Sequence, residues 1–207
     1  MTTQPGANEG ERLEQLWSGE FGDDYVDRNA SSYAIREGFW QAILRSTSAS
    51  SALEVGCNVG GNLRWLAPLL PEGATAGVDI NRKALTTLHA AYPAIDAMWS
   101  PARDLPFRDR RFDLVFTMGV LIHQPDATLP LVMHEMVRCS RRWVLCGEYY
   151  SPDQEEVSYR GHEGALFRRD YGALFTQMFP ELTLSDSGFL SKDAGWDDVT
   201  WWLFERR

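Results

Sequence analysis

The chain has 207 residues, 44% hydrophobic and 24% charged, with a formal net charge of −9. That length suits a single domain, the acidic balance argues against a surface that grips nucleic acid, and no apolar run approaches the ~20 residues that would cross a membrane. Three cysteines, Cys57, Cys139 and Cys146, form no CxxC pair, so neither a disulfide scaffold nor a metal site is expected.

The opening MTTQPGANEG lacks the basic start and apolar stretch of a secretory signal. It is expected to be a flexible tail over 1–10, ahead of one domain over 11–207 in a cytoplasmic protein, monomeric or homodimeric. Leu13, Leu16 and Trp17 at i, i+3, i+4 predict a helix, and Ile35, Phe39 and Ile43 predict another from about Ser32 to Ser46. These N-terminal helices, over 11–46, precede any strand. SALEV (51–55) then predicts a first strand, followed by a Gly-rich turn and a helix with Leu63, Leu66 and Leu69 on one side.

ATAGVDI (74–80) predicts a second strand, and Asn81 a cap for the helix after it. Strands follow near 94–99 and 112–120, then a helix from Ala127 to Cys139 and a fifth strand over 143–149. Asp170 reads as the cap of a further helix. Two closing strands near 182–190 and 198–205 have only a short connection between them, which implies an antiparallel hairpin on a mostly parallel sheet. The expected fold is α/β: a doubly wound, Rossmann-like, seven-stranded sheet with a C-terminal hairpin and an N-terminal helical lid.

The chemistry concentrates at strand ends. LEVGCNVGGN (53–62) leaves a strand and enters a helix, and its glycines let a ligand approach the backbone. The spacing Gly56-x-x-x-Gly60, with Glu54 upstream, differs from the G-x-G-x-x-G that seats a pyrophosphate, so a dinucleotide oxidoreductase is disfavoured. An ordinary tight βα turn would carry the same glycines. Asp79 ends the second strand about twenty residues further on, where a carboxylate can accept both hydroxyl protons of a ribose. A strand-end or helix-capping acid is the plainer alternative.

WSPARDLPF (99–107) and FDLVFTMGVLIH (112–123) complete a set that resembles, in content and order, the class I S-adenosylmethionine (SAM)-dependent methyltransferases. A narrower resemblance, to the pseudaminic acid biosynthesis-associated methylases, rests on WSGEFGDDYVDRN (17–29), GVLIH, EYYSP (148–152), YRGH (159–162) and DDVTWWLFE (197–205). The resemblance implies SAM as cofactor, with Glu54, Gly56 and Gly60 around its methionine part and Asn58 in the same turn. It implies Asp79 and Ile80 around ribose and adenine, and Gly119 and Val120 on the sulfonium side. Pro101 replaces an acid that many relatives use on the adenine amine, which leaves the Ala102 backbone or Asp104 to supply that contact.

Tyr25 and Arg28 fall in the segment expected to close over the cofactor, and a guanidinium there can hold a carboxylate through two parallel bonds. A solvated arginine fits the sequence equally well. His123 is a candidate proton acceptor, with a packed or gating histidine as the alternative, and Tyr149 and Tyr150 are candidates for the acceptor side, with sheet-edge packing as theirs. The implied reaction is methyl transfer to a small molecule: an amino acid, amine, carboxylate or amino sugar. The alternative on the same cofactor is cyclisation, in which the methionyl amine attacks its own γ-carbon, expels methylthioadenosine and leaves azetidine-2-carboxylate. A non-catalytic SAM-binding protein is the third possibility.

Overall fold

Buried strands alternating with amphipathic helices build the expected sheet in a computed structural model that describes residues 5–29 and 36–207. β1 (Ala52–Val55), β2 (Thr75–Asp79), β3 (Asp96–Trp99), β4 (Phe112–Met118) and β5 (Ser140–Glu148) run parallel. β8 (Leu182–Leu190) and β9 (Val199–Arg206) form the antiparallel closing pair, with β9 against β5. The spatial order is β3-β2-β1-β4-β5-β9-β8. All four residues of β1 are buried, as a strand covered on both faces requires.

One face carries α3 (Glu37–Thr47), α4 (Leu63–Leu66) and α5 (Arg82–Ala91), whose Trp40, Ile43, Leu63 and Leu88 pack on Leu114, Phe116 and Leu145. The other carries α6 (Leu129–Cys139) and α7 (Tyr171–Met178), whose Val132, Met136 and Phe175 meet Leu53, Val115 and Val144. Neighbouring strand residues divide between the two clusters because successive side chains point to opposite faces. Among the described residues no helix is long and apolar enough to cross a membrane.

Four features differ from the sequence expectation. Residues 5–10, expected as tail, open helix α1 (Pro5–Ser18), while 1–4 lie outside the described residues. A separate helix, α2 (Glu20–Asn29), follows at once. The helix carrying Leu63, Leu66 and Leu69 is only one turn of α followed by a 3₁₀ turn at Ala67–Leu69, where Pro68 lacks the N–H needed to continue the ladder. A two-stranded ribbon, β6 (Glu155–Tyr159) with β7 (His162–Arg168), stands apart from the main sheet. β6 is short and without a buried residue, and β7 carries Ala165, Leu166 and Phe167 buried in succession, so neither shows the alternation that marks a half-buried strand. The predicted helix 32–46 is seen from Glu37, and its first residues, 32–35, fall outside the described part.

Strand order reverses between β1 and β4, so the loops after these two strands diverge to opposite faces. In open α/β sheets the crevice at such a point, beyond the carboxyl ends of the strands, is where ligands bind.

Candidate active site

A cleft of about 940 Å³, its open mouth included, occupies this crevice. Its floor is the turn after β1, with Gly56 and Asn58, the end of β2, with Asp79, Ile80 and Asn81, and the turn after β4, with Gly119 and Val120. Ser100, Ala102 and Arg103 close one side, and α1 and α2 supply Leu13, Glu14, Trp17 and Tyr25 as a roof.

The floor is pre-formed. Gly56 has φ +78°, and a β-carbon there would fall 2.3 Å from Cγ2 of Val120, so the two turns meet only because this residue is glycine. Asn58 holds φ +45°, a left-handed conformation that asparagine tolerates better than most residues. Asp79 fixes it, accepting the Asn58 amide on one oxygen and the Asn81 amide on the other, each at 2.8 Å. An ionised carboxylate offers about four acceptor sites, so Asp79 keeps acceptor capacity for a ligand. Burial raises its pKa, against the backbone amides of Asn81, Asn58 and Ile80.

The roof is latched to the floor through polar contacts. Asn81 Nδ2 donates to the Trp17 carbonyl at 3.1 Å and to Asp23 Oδ1 at 2.9 Å, while its Oδ1 caps α5 at Ala84. Arg103 reaches Glu14 with Nε and Nη2 at 2.5 and 2.9 Å across the mouth. At Gly22 a β-carbon would lie 1.8 Å from the Trp17 carbonyl oxygen and 2.8 Å from Asn81 Nδ2, so α2 approaches only as glycine. The buried Nε1 of Trp17 and Oδ1 of Asn58, both in cleft-lining residues, have no hydrogen-bond partner among the described residues. A polar ligand would satisfy them.

A second, smaller chamber, about 490 Å³ with the open space at its mouth included, shares Tyr25, Met118, Gly119 and His123 with the first. Arg36, Tyr149, Tyr159, Trp196 and Asp197 complete its polar and aromatic wall. His123 stands between the chambers, its ring 4.4 Å from Trp17 and 5.3 Å from Tyr159, centroid to centroid. Its Nδ1 lies 2.6 Å from the Ala165 carbonyl oxygen. A carbonyl only accepts, so Nδ1 carries the proton and Nε2 keeps its lone pair. Burial pushes the pKa down to about 4, making this imidazole a neutral acceptor and a weak base. The Tyr149 hydroxyl, pushed up to about 12 by burial, remains a donor.

The loop after β4 is held from below by Glu148, fully buried at the end of β5. Its carboxylate accepts Thr117 Oγ1 at 2.9 Å, the Val120 amide at 3.3 Å and the Ile122 amide at 3.2 Å. Burial raises its pKa to about 7. An acid closing the apolar run WVLCGE is the one trace of this brace in the sequence.

Of the residues singled out from sequence, Tyr25, Gly56, Asn58, Asp79, Ile80, Ala102, Gly119, Val120 and His123 line the cleft, and Tyr149 the second chamber. Five are placed elsewhere. Glu54 faces the α3–α4 side of β1, beneath the turn, and accepts Asn62 Nδ2 at 2.6 Å; burial lifts its pKa to about 8. Gly60 (φ +79°) shapes the turn from below, packed toward Leu88. Arg28 is exposed, with its guanidinium 5.7 Å from the Tyr25 ring centroid on the solvent side of α2. Tyr150 is 46% exposed and lies against Trp202 at 6.1 Å, because the residue after an inward Tyr149 points outward. Asp104 is also exposed, outside the cleft lining that includes Ala102. Arg36, a cation that lines the smaller chamber, is read from the sequence only as part of a helix.

The sheet order, the closing hairpin and the crevice define the fold of the class I SAM-dependent methyltransferases, and residues 52–142 match the methyltransferase domain family. The whole chain superposes on the 1,6-didemethyltoxoflavin-N1-methyltransferase of Burkholderia thailandensis, solved with 1,6-didemethyltoxoflavin and S-adenosylhomocysteine bound. The TM-score is 0.72 at 14% identity, covering 100% of this chain and 92% of that one. The magnesium protoporphyrin IX methyltransferase of Synechocystis, solved with S-adenosylhomocysteine, superposes at TM-score 0.70 and 13% identity over 95% of this chain and 99% of that one. A curated relative, phthiotriol/phenolphthiotriol dimycocerosates methyltransferase 1 of Mycobacterium ulcerans, is 33% identical over 70 residues. That match spans 33% of this chain and 26% of the relative's length.

Proposed function

We propose that this protein binds SAM in the larger chamber and methylates a small molecule held in the smaller one. The observation that carries this is the junction of the chambers: Gly119 and His123 wall both, so a donor on the pre-formed floor and an acceptor beyond it share one boundary. The ligands recorded in the structural neighbours and the motif resemblance support the choice of cofactor.

The residues fit such a group on their own account. Asp79 keeps acceptor capacity for the ribose hydroxyls, Ile80 and Ala102 offer surface to adenine, and Asn58 Oδ1 and Trp17 Nε1, unpartnered among the described residues, gain partners. Bound SAM supplies a methyl group on a positively charged sulfur. The roof of α1 and α2 excludes water, Gly119 and Val120 leave the backbone close to the reacting end, and Nε2 of His123 can accept a hydrogen bond from an acceptor hydroxyl or amine and orient it. With a pKa near 4, His123 orients far better than it abstracts.

A second reading, cyclisation of SAM without an acceptor, is favoured by the size of the smaller chamber, about 490 Å³ against about 940 Å³ for the cleft. Product analysis separates the two. Methyl transfer predicts that S-adenosylhomocysteine accumulates only when a small nucleophile is added to protein and SAM. Methylthioadenosine forming from SAM alone, faster than its spontaneous breakdown and with a matching ring-closed amino acid, would overturn the methyltransferase proposal in favour of the second reading.

A further inference from the structure

Two carboxylates line the larger cleft, Asp79 on the floor and Glu14 on the roof. Asp79 ends β2, whereas Glu14, on α1, meets the loop after β3, where Arg103 binds both its oxygens through Nε and Nη2 at 2.5 and 2.9 Å. Two parallel bonds of this kind fix the plane of a carboxylate. They do not exhaust it, because a carboxylate offers about four acceptor sites. The Glu14 side chain is 27% exposed, so water competes with a ligand for the remaining capacity only in part.

Strand order decides which part of a ligand comes under Glu14. The carboxyl ends of the strands cross the floor in the order β4, β1, β2, β3, at about 4.8 Å per step. A nucleoside with its sulfur end at Gly119 and its ribose on Asp79 therefore extends its base toward Ile80, Ala102 and the loop after β3. The backbone acceptors there are already engaged. The Pro101 carbonyl accepts the Asp104 amide at 3.1 Å and the Ser100 hydroxyl at 3.2 Å, and the Asp104 carbonyl accepts the same hydroxyl at 2.7 Å. The Ile80 carbonyl accepts Trp99 Nε1 at 2.9 Å. The Asp104 side chain is exposed and outside the cleft lining. Glu14 is thus the anionic acceptor at this end of the lining, and an anionic acceptor suits a base edge that carries N–H donors.

We propose that Glu14 selects the base of the cofactor: held by Arg103, its carboxylate accepts a hydrogen bond from the exocyclic amine of an amino-purine. This rests on the SAM-binding proposal above and deepens it. Glu14 takes the contact that the sequence left to the Ala102 backbone or Asp104, and it takes it from the roof instead of the floor. A ligand with the amine ties α1 to the floor through its own base. One without the amine leaves α1 held only by the protein's own contacts.

Calorimetry on the full chain tests this with S-adenosylhomocysteine and with its analogue in which hydrogen replaces the 6-amino group, so that the two ligands differ only in the amine. The parent should prefer the amine by about tenfold, the lower end for a charge-assisted bond because Glu14 is partly exposed. That ratio should fall to within about twofold in Glu14→Ala. In Glu14→Gln, which keeps the shape and loses the charge, it should fall to a few-fold. The ratio separates recognition from bracing: if Glu14 only latches the roof through Arg103, Glu14→Ala weakens both ligands equally and the tenfold preference survives, which overturns the proposal. A parent that binds both ligands alike also overturns it, and either result leaves the SAM-binding proposal standing. A parent that binds neither ligand, nor SAM itself, removes both proposals, and the parent's own titration distinguishes that failure from the others.

Discussion

Replacing Asp79 by alanine removes a ligand contact and a structural brace in one step, and the two losses are separately measurable. The carboxylate accepts two backbone amides at 2.8 Å, from Asn58 and Asn81. Alanine leaves both N–H groups without acceptors, at about 1–3 kcal/mol each. Part of this is offset because the buried carboxylate, whose pKa is raised by desolvation, is no longer there. A net destabilisation of about 2 kcal/mol would lower Tm by roughly 4–8 °C for a chain of this size. The bonds to two ribose hydroxyls add about 1.5–3 kcal/mol of binding free energy, so SAM affinity should fall roughly 10- to 100-fold. Thermal unfolding without ligand reads the first number and calorimetry with SAM the second. Asp79→Asn should resemble alanine in Tm, because its amide must face one of the two N–H donors, yet retain part of the SAM affinity through its remaining oxygen. A lowered Tm with SAM affinity equal to the parent's would show that Asp79 braces the turn and touches no ribose, which would refute the proposed placement.

The roof should be separable from the core: Gly22→Ala drives a methyl group into the Trp17 carbonyl and Asn81, so SAM should bind at least several-fold more weakly while Tm changes by only a few degrees, and unchanged affinity would show that α2 is not needed for closure. Arg28→Ala should bind SAM like the parent, since its side chain is exposed, and a clear loss by calorimetry would restore the clamp expected from the sequence. Stability should fall with rising pH between 6.5 and 8. Burial lifts Glu54 from 4.5 to about 8 and Glu148 from 4.5 to about 7, so the folded state keeps protons that the unfolded chain has released. His123, lowered from 6.5 to about 4, contributes the opposite slope only below pH 6.5. Tm of the ligand-free protein should therefore drop across this window and flatten in the Glu54→Gln, Glu148→Gln double variant; the same slope in both proteins would assign it to other groups.

The amino-acid sequence determined the sheet and half of the site, because those features are local. Alternating apolar runs and amphipathic helices mark β1 to β5, and a turn such as LEVGCNVGGN keeps its acid, glycines and following helix within ten residues. Asp79 was legible for the same reason, since a strand end and its distance from the glycines are both written along the chain. The second chamber was not. Arg36 and Asp197 lie far apart in sequence and meet there only because α3 and the loop before β9 pack beside the end of β4. Glu148 and the loop it holds are joined across the β4–β5 ladder, and Asn81 could be read as a helix cap but not as the latch of α2. Two adjacent tyrosines look alike in sequence. Only the direction of the chain leaving β5 decides that Tyr149 faces the chamber and Tyr150 the solvent, because side chains of extended residues alternate and the packing around them selects which one is inside.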